Sequence, residues 1–168
     1  MPAPHAPPAD YEVALADRAA TRHLAGRLAR LLRTGDDIGL GGALGAGKTT
    51  FARDVIRALG GHDCEVPSPT FTLVQIYELD ALTLWHFDLF RVNAPEDVVE
   101  LGFEDALADG VSLVEWPERL GFLLPPDHLV VTLAQGATPD ARIARLSAHG
   151  TWTGRLAALV EDLAIADA

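Results

Sequence analysis

Positive charge is scarce in this chain: 13 basic residues stand against 24 acidic ones, a net charge of −11 over 168 residues. A large nucleic-acid-binding face needs a basic patch. The balance argues against one, so any nucleic-acid role is expected to run through a partner. Cysteine occurs once, at Cys64, which excludes a disulfide framework and a cysteine metal cluster. No run of about 18 apolar residues exists, so no membrane-spanning helix is expected. The start, Met1 to Pro8, has neither a basic region nor an apolar stretch, and does not read as a signal peptide. Residues 1–9 are expected to be a disordered tail, residues 10–168 a single domain, and the protein cytoplasmic. At 49% hydrophobic and 22% charged residues, the composition is that of a globular protein with one sizeable core.

Lysine is the scarcest charge: Lys48 stands alone against twelve arginines. Arginine is a broad planar fork, whereas lysine is a compact ammonium on a flexible stem. A lone lysine in such a background marks a place where only the compact cation fits. It lies in Gly42-Ala43-Leu44-Gly45-Ala46-Gly47-Lys48-Thr49, which matches G-x-x-x-x-G-K-[ST], the phosphate-binding P-loop. In that loop backbone N–H groups converge on phosphate oxygens, the lysine reaches the β- and γ-phosphates, and the Thr49 hydroxyl binds Mg²⁺. The residues expected around an ATP phosphate chain are Gly42, Leu44, Gly45, Ala46, Gly47, Lys48, Thr49 and Thr50.

The context agrees with the motif. Asp37 to Leu40 reads as a short apolar strand. Thr50 to Leu59 reads as a helix with Phe51, Val55, Ile56 and Leu59 on one face, ended by Gly60-Gly61. Strand, glycine loop and helix bring the helix N-terminus to the phosphates. A dinucleotide fingerprint fits worse, because Gly45-Ala46-Gly47 would need Gly or Ala at position 50, where Thr stands.

Elsewhere the pattern predicts a strand at Tyr11–Leu15 and a helix from Arg18 to about Arg33, capped by Asp17 and closed by Thr34-Gly35. Val66 to Thr70 is held extended by two prolines. Strands at Phe71–Tyr77 and Leu82–Asp88 are expected to form a hairpin. A helix starting near Pro95 is broken by Gly102. Val111–Glu115 and Leu129–Leu133 read as strands, Arg142–Ala148 as an edge strand, and Arg155–Leu163 as a helix. Helices interleaved with apolar strands make an α/β fold of the P-loop NTPase type, with three layers. The hairpin makes its central sheet mixed.

A P-loop needs a carboxylate near Mg²⁺, usually at the end of a neighbouring strand. Two strands end in one: Glu115, on the more central-looking strand, and Asp88. Glu115 is the first choice for Mg²⁺, and Asp88 could orient the attacking water or hold a metal-bound one. Either acid could instead merely cap its strand. Thr70 reads equally as a switch threonine or a turn former. His86 shares a pleat face with Leu84 and Asp88 and reads as a packed or hydrogen-bonded histidine. Trp116, beside Glu115, reads first as core.

Guanine-reading GTPases carry N-K-x-D, and this chain has one asparagine, Asn93, and no second lysine. GTP specificity is therefore not expected. A P-loop small-molecule kinase is the serious alternative. It needs an arginine-rich lid, for which only Arg142 and Arg145 stand out. A nucleotide-binding adaptor without hydrolysis is a third reading.

Over about residues 12–150 the chain resembles the bacterial TsaE family, the ATPase of tRNA threonylcarbamoyladenosine biosynthesis. The P-loop is similar to the family's G-D-L-G-A-G-K-T-T. Ser68-Pro69-Thr70-Phe71-Thr72-Leu73-Val74 is similar to S-P-T-[FY]-T-L-V, and His86-Phe87-Asp88-Leu89-Phe90-Arg91 to H-F-D-L-Y-R. Leu101-Gly102-Phe103 and Glu115-Trp116 resemble its E-L-G and E-W segments. The resemblance implies an accessory, partner-stimulated ATP hydrolase. It would act with a TsaD-like transferase and a TsaB-like paralogue, and reach tRNA only through that complex. It implies ATP and Mg²⁺ at Lys48 and Thr49, Mg²⁺ at Glu115, and Asp88 and Thr70 in hydrolysis or switching. Two departures stand out: Ala43 replaces an acid, and Phe90 a tyrosine.

Overall fold

The computed structural model describes residues 9–60 and 65–166; Cys64, Gly61 and the first eight residues lie outside the described residues. Among the described residues seven strands form one sheet in the order β1-β7-β6-β2-β5-β4-β3. They are β1 (Ala9–Leu15), β2 (Asp37–Gly41), β3 (Val74–Glu78), β4 (Thr83–Asp88), β5 (Val111–Glu115), β6 (His128–Gln135) and β7 (Arg142–His149). The central four, β6-β2-β5-β4, are parallel, and β1, β7 and β3 are antiparallel to their neighbours. The sheet is mixed, as the hairpin implies, and the architecture is α/β.

Among the described residues five α-helices cover it: α1 (Arg18–Leu31), α2 (Lys48–Gly60), α3 (Pro95–Glu100), α4 (Phe103–Asp109) and α5 (Trp152–Ala166). Strand alternation sorts them into layers. Ile38, Leu40, Leu84, Leu113 and Leu129 point to the side of α1, α2 and α5, where Leu24, Leu28, Phe51, Val55 and Trp152 complete one core. Phe87 and Val114 point the other way, onto Val98, Phe103 and Leu120. Each fully buried Leu or Phe here contributes roughly 1.5–3 kcal/mol. Two cores on two faces of one sheet are the three layers.

Local chemistry sets the ends of α1. The Asp17 carboxylate accepts from the Ala20 N–H at 2.8 Å, a cap worth about 1 kcal/mol. The helix stops at Leu31 rather than Arg33, because Leu32 is extended at ψ 139°. Three expectations are corrected. Ala9 is not in a tail; it pairs with Ala148 in β1. The strand expected from Phe71 begins only at Val74: Leu73 sits in the left-handed region at φ 66°, its N–H bonded to Pro69 O, so residues 69–73 turn. Finally, β7 is not an edge; β1 covers its outer side, and β1 and β3 are the edges. The pattern of β7 alone gave no sign of this, because its partner lies some 130 residues earlier in the chain. A 3₁₀ segment at Pro117–Leu123 was not foreseen.

Candidate functional site

The loop between β2 and α2 turns on glycines. Gly42, Gly45 and Gly47 have φ of 127°, 80° and 105°, values that L side chains resist. At Gly42 a Cβ would also run into the Leu133 carbonyl oxygen of the neighbouring strand, while at Gly45 a Cβ would meet nothing within 4 Å. The loop is thus packed against β6 on one side and open on the other. The open side is a cavity of about 460 Å³ at the carboxyl ends of the parallel strands, beside the N-terminus of α2. Leu44, Gly45, Gly47, Lys48, Thr49 and Thr50 line it. Gly42 and Ala46 stand behind that lining, supplying carbonyls to Lys48 and Arg142.

Parity places the acids. In β4 the residues Leu84, His86 and Asp88 share one face, and in β5 Val111, Leu113 and Glu115 do. Both faces look toward α2, and Asp88 and Glu115 are paired across the strand ends. Both acids therefore reach the same cavity as Lys48 and Thr49.

The contacts form a connected set. The Thr49 hydroxyl donates to Glu115 Oε1 at 2.7 Å. Glu115 Oε2 lies 2.8 Å from Nε2 of the fully buried His86. The Glu115 carboxylate is thus anchored at both oxygens, one by the first turn of α2 and one by the sheet. His86 Nδ1 has no hydrogen-bond partner, so the ring serves Glu115 alone. Asp88 Oδ1 accepts from the Phe90 N–H at 3.1 Å, and its Oδ2 is 3.5 Å from the Thr70 hydroxyl. Thr70 is closer to Ser68, at 2.7 Å.

Lys48 folds back on its own loop, donating to the Gly42 and Ala43 carbonyls at 2.7 and 2.8 Å. Its ammonium lies 4.1 Å from the centre of the Trp116 ring, a cation–π contact. Trp116 takes the left-handed conformation at φ 63°, which turns its ring over the lysine. Burial lowers the Lys48 pKa, and Glu115, Glu118 and Asp88 oppose that shift. Trp116 is therefore a wall of the site rather than plain core, in contact with Phe90 at 5.0 Å between ring centres.

Arg142 Nε donates to Ala46 O at 2.9 Å, and its NH1 group to Pro139 O and Ala141 O. It props the loop from β7. Arg145, three residues on, points to the opposite face of the strand and pairs with Asp10. The two do not form a lid. Arg91 also lines the cavity, its guanidinium 5.4 Å from the ring of the exposed Phe71. Sequence spacing offered no sign of the Arg142, Trp116 or His86 contacts, since each joins residues far apart in the chain.

The residues fit Mg²⁺. A hydroxyl and a carboxylate side by side are the hard oxygen donors this ion takes, with phosphates and water completing its shell. Thr49 and Glu115 would hold it, and the open glycine cradle would hold the phosphates.

Such a sheet, with a glycine loop between its central strand and the helix that follows, is a P-loop NTPase fold. A structural neighbour supports this assignment: the crystal structure of YdiB from Bacillus subtilis superposes with a TM-score of 0.72 at 27% identity, covering 97% of this chain and 99% of that one. Residues 15–143 match the family model described as threonylcarbamoyl adenosine biosynthesis protein TsaE, and the chain belongs to that family. Among curated relatives, the tRNA threonylcarbamoyladenosine biosynthesis protein TsaE of Rickettsia felis is 43% identical over 113 residues, 67% of this chain and 66% of that protein. Its namesake in Aquifex aeolicus is 41% identical over 109 residues, 64% of this chain and 77% of that protein. The chain spans just under two thirds of the length of the Rickettsia felis relative. No helix among the described residues is long and apolar enough to cross a membrane.

Proposed function

We propose that this chain is an ATP hydrolase that serves threonylcarbamoyl modification of the tRNA adenosine next to the anticodon, with a TsaD-like transferase and a TsaB-like paralogue as partners. The observation that carries the proposal is the set Lys48, Thr49, Glu115 and Asp88 converging on one cavity beside the N-terminus of α2. Arg145, turned away onto Asp10, does not join Arg142 in the arginine lid that a small-molecule kinase needs.

Bound Mg²⁺ would neutralise charge developing on the phosphates. The chain's own residues do the rest. Loop amides hold the phosphates, and Lys48 moves from the Gly42 and Ala43 carbonyls to the β/γ oxygens. Thr49 and Glu115 keep their mutual geometry because His86 fixes the far oxygen of Glu115. Asp88 accepts a hydrogen bond from water and aligns it on the γ-phosphorus. Attack forms the new P–O bond, breaks the bond to the leaving ADP, and yields inorganic phosphate.

The geometry also supports dependence on a partner. Thr70 is held by Ser68 and stands 3.5 Å from Asp88, a loose contact. One oxygen of Asp88 is occupied by the Phe90 N–H. A partner that packs on residues 67–71 would tighten this arrangement and raise the rate. Hydrolysis would then reset the assembly between modification cycles, with tRNA held mainly by the partners. The test is steady-state ATP hydrolysis by the chain alone and with purified TsaB and TsaD. Slow turnover alone and stimulation in the mixture are expected, and Thr70→Ala abolishes the stimulation. Fast turnover unaffected by partners refutes the assembly reading, and phosphate transfer to a small-molecule acceptor establishes the kinase.

A further inference from the structure

Three side chains lining the nucleotide cavity are cationic: Lys48, Arg91 and Arg142. Two of them already have a task. Lys48 reaches the phosphates from the glycine loop, and Arg142 is committed to the carbonyls of Ala46, Pro139 and Ala141. Arg91 has none. Among the described residues the structure gives it no hydrogen bond and no ion pair, only the face of the Phe71 ring at 5.4 Å. Neither carboxylate of the cavity pairs with it. Glu115 is held by Thr49 and His86, and Asp88 faces the Phe90 N–H and Thr70.

The backbone of Arg91, by contrast, is fixed. Leu89 and Val92 are buried on either side and anchor the segment in the second core. The Phe90 N–H donates to Asp88 Oδ1, the Val92 N–H to Leu89 O, and Arg119 to Val92 O. This turn starts at Asp88, so Arg91 stands on the water-aligning side of the cavity, whereas Lys48 approaches from the glycine loop. Charge develops there during the reaction. In phosphoryl transfer the negative charge spreads over the γ-oxygens and the leaving oxygen. A carboxylate beside the attacking water adds to it. A planar guanidinium can bond two of those oxygens at once.

We propose that Arg91 is a catalytic residue that leaves the Phe71 ring and donates to the γ-phosphate oxygens in the transition state. The inference rests on the ATP-hydrolase reading of the same cavity. Magnitudes favour the movement. A cation–π contact between exposed groups biases a side chain by roughly 2–5-fold. An arginine that donates to the transition state of phosphoryl transfer is worth about 10³–10⁵ in rate. The bonds formed and broken are those of ATP hydrolysis, and Arg91 keeps its proton throughout. Phe71 is the exposed neighbour of Thr70, within the residues 67–71 on which a partner would pack. A partner that covers Phe71 takes the ring away from Arg91. The contact that orders Thr70 therefore also frees the guanidinium, which links docking to turnover.

The experiment compares the native chain with Arg91→Ala and Arg91→Lys at saturating TsaB and TsaD. Turnover should fall at least about 100-fold in Arg91→Ala. It should fall at least about tenfold in Arg91→Lys, because a point charge lacks the fork. Mg-ATP affinity in calorimetry should stay within about threefold, and melting temperatures should match the native chain. A second readout is independent of turnover. The native assembly should bind Mg-ADP with aluminium fluoride, a transition-state mimic, at least about tenfold tighter than Mg-ADP alone, and both variants should lose that gain. Without partners, Phe71→Ala should raise turnover by about 2–5-fold; an unchanged rate there would overturn the link to docking. Native turnover in Arg91→Ala would overturn the proposal. So would a loss restored by more partner, which would make Arg91 a docking residue, or an equal loss of Mg-ADP affinity with and without aluminium fluoride. A native assembly that neither hydrolyses ATP nor binds the fluoride complex would sink the hydrolase reading and this inference with it. Hydrolysis that Arg91→Ala leaves intact would remove this inference alone.

Discussion

Asp37 begins the strand that carries the P-loop, and it is fully buried. One carboxylate oxygen accepts from the Ser112 hydroxyl at 2.7 Å, tying β2 to β5 at the end opposite the site. The other oxygen has no partner. Loss of solvation pushes its pKa up from 3.8 to about 7; the Ser112 hydrogen bond opposes the shift and the neighbouring Asp36 adds to it. Between these two values the folded chain holds a proton that the unfolded chain has lost. Stability from this group is therefore full below pH 3.8, falls as pH rises, and is gone above about pH 7. A shift of about three units corresponds to about 4 kcal/mol.

In Asp37→Asn the titration is removed and the Ser112 bond can be kept. The amide leaves an extra unpaired donor, a cost of about 1–3 kcal/mol that is the same at every pH. The stability difference between variant and native chain should therefore swing by about 4 kcal/mol from pH 4 to pH 8, in favour of Asn at the alkaline end. For a chain of this length that is about 8–16 °C in melting temperature. Urea unfolding of both proteins at pH 4.5, 6 and 8 measures it, and all other titrating groups cancel in the difference. A difference that does not change with pH would show that Asp37 ionises normally and would refute the desolvation argument.

Lys48→Ala and Lys48→Arg should both abolish Mg-ATP binding in calorimetry, the second because a broad planar guanidinium does not fit the space between the glycine loop and the Trp116 ring from which Lys48 reaches the phosphates; near-normal affinity of the arginine variant would sink the steric reasoning. Asp88→Ala should keep nucleotide affinity within about tenfold and lose hydrolysis, since aligning water matters mostly in the transition state; normal turnover would return Asp88 to a strand-end acid. Glu115→Ala should raise the Mg²⁺ concentration needed for ATP binding, read by titrating Mg²⁺ at fixed nucleotide. His86→Leu should do the same by about 10–100-fold, with His86→Asn partly restoring it, while Mg²⁺-free nucleotide affinity stays level; equal loss with and without Mg²⁺ would make His86 a packing residue only.

Much of the site was legible in the chain because its parts are local. The P-loop is eight consecutive residues whose strand and helix follow from spacing, and both acids end short apolar runs, where period-2 alternation puts them on the same face as Leu84 and Leu113. The hairpin of β3 and β4 was visible for the same reason, although its first strand was drawn three residues long because Phe71 and Leu73 are apolar. There the left-handed Leu73 turns the backbone, and apolarity carries no record of φ.

Net charge likewise carries no record of distribution: a sum over 168 residues averages away an acid-free helix that the sequence displays openly. What only the tertiary structure decided is pairing across distance. The sequence names His86, Glu115, Trp116 and Arg142, but that His86 anchors Glu115, that Trp116 covers Lys48 and that Arg142 props Ala46 depend on strand order. That β7 is interior depends on β1, some 130 residues earlier, finding its edge. Periodicity fixes which face of an element is apolar; which element meets that face is set by the burial of many side chains at once, and no short stretch of the chain encodes it.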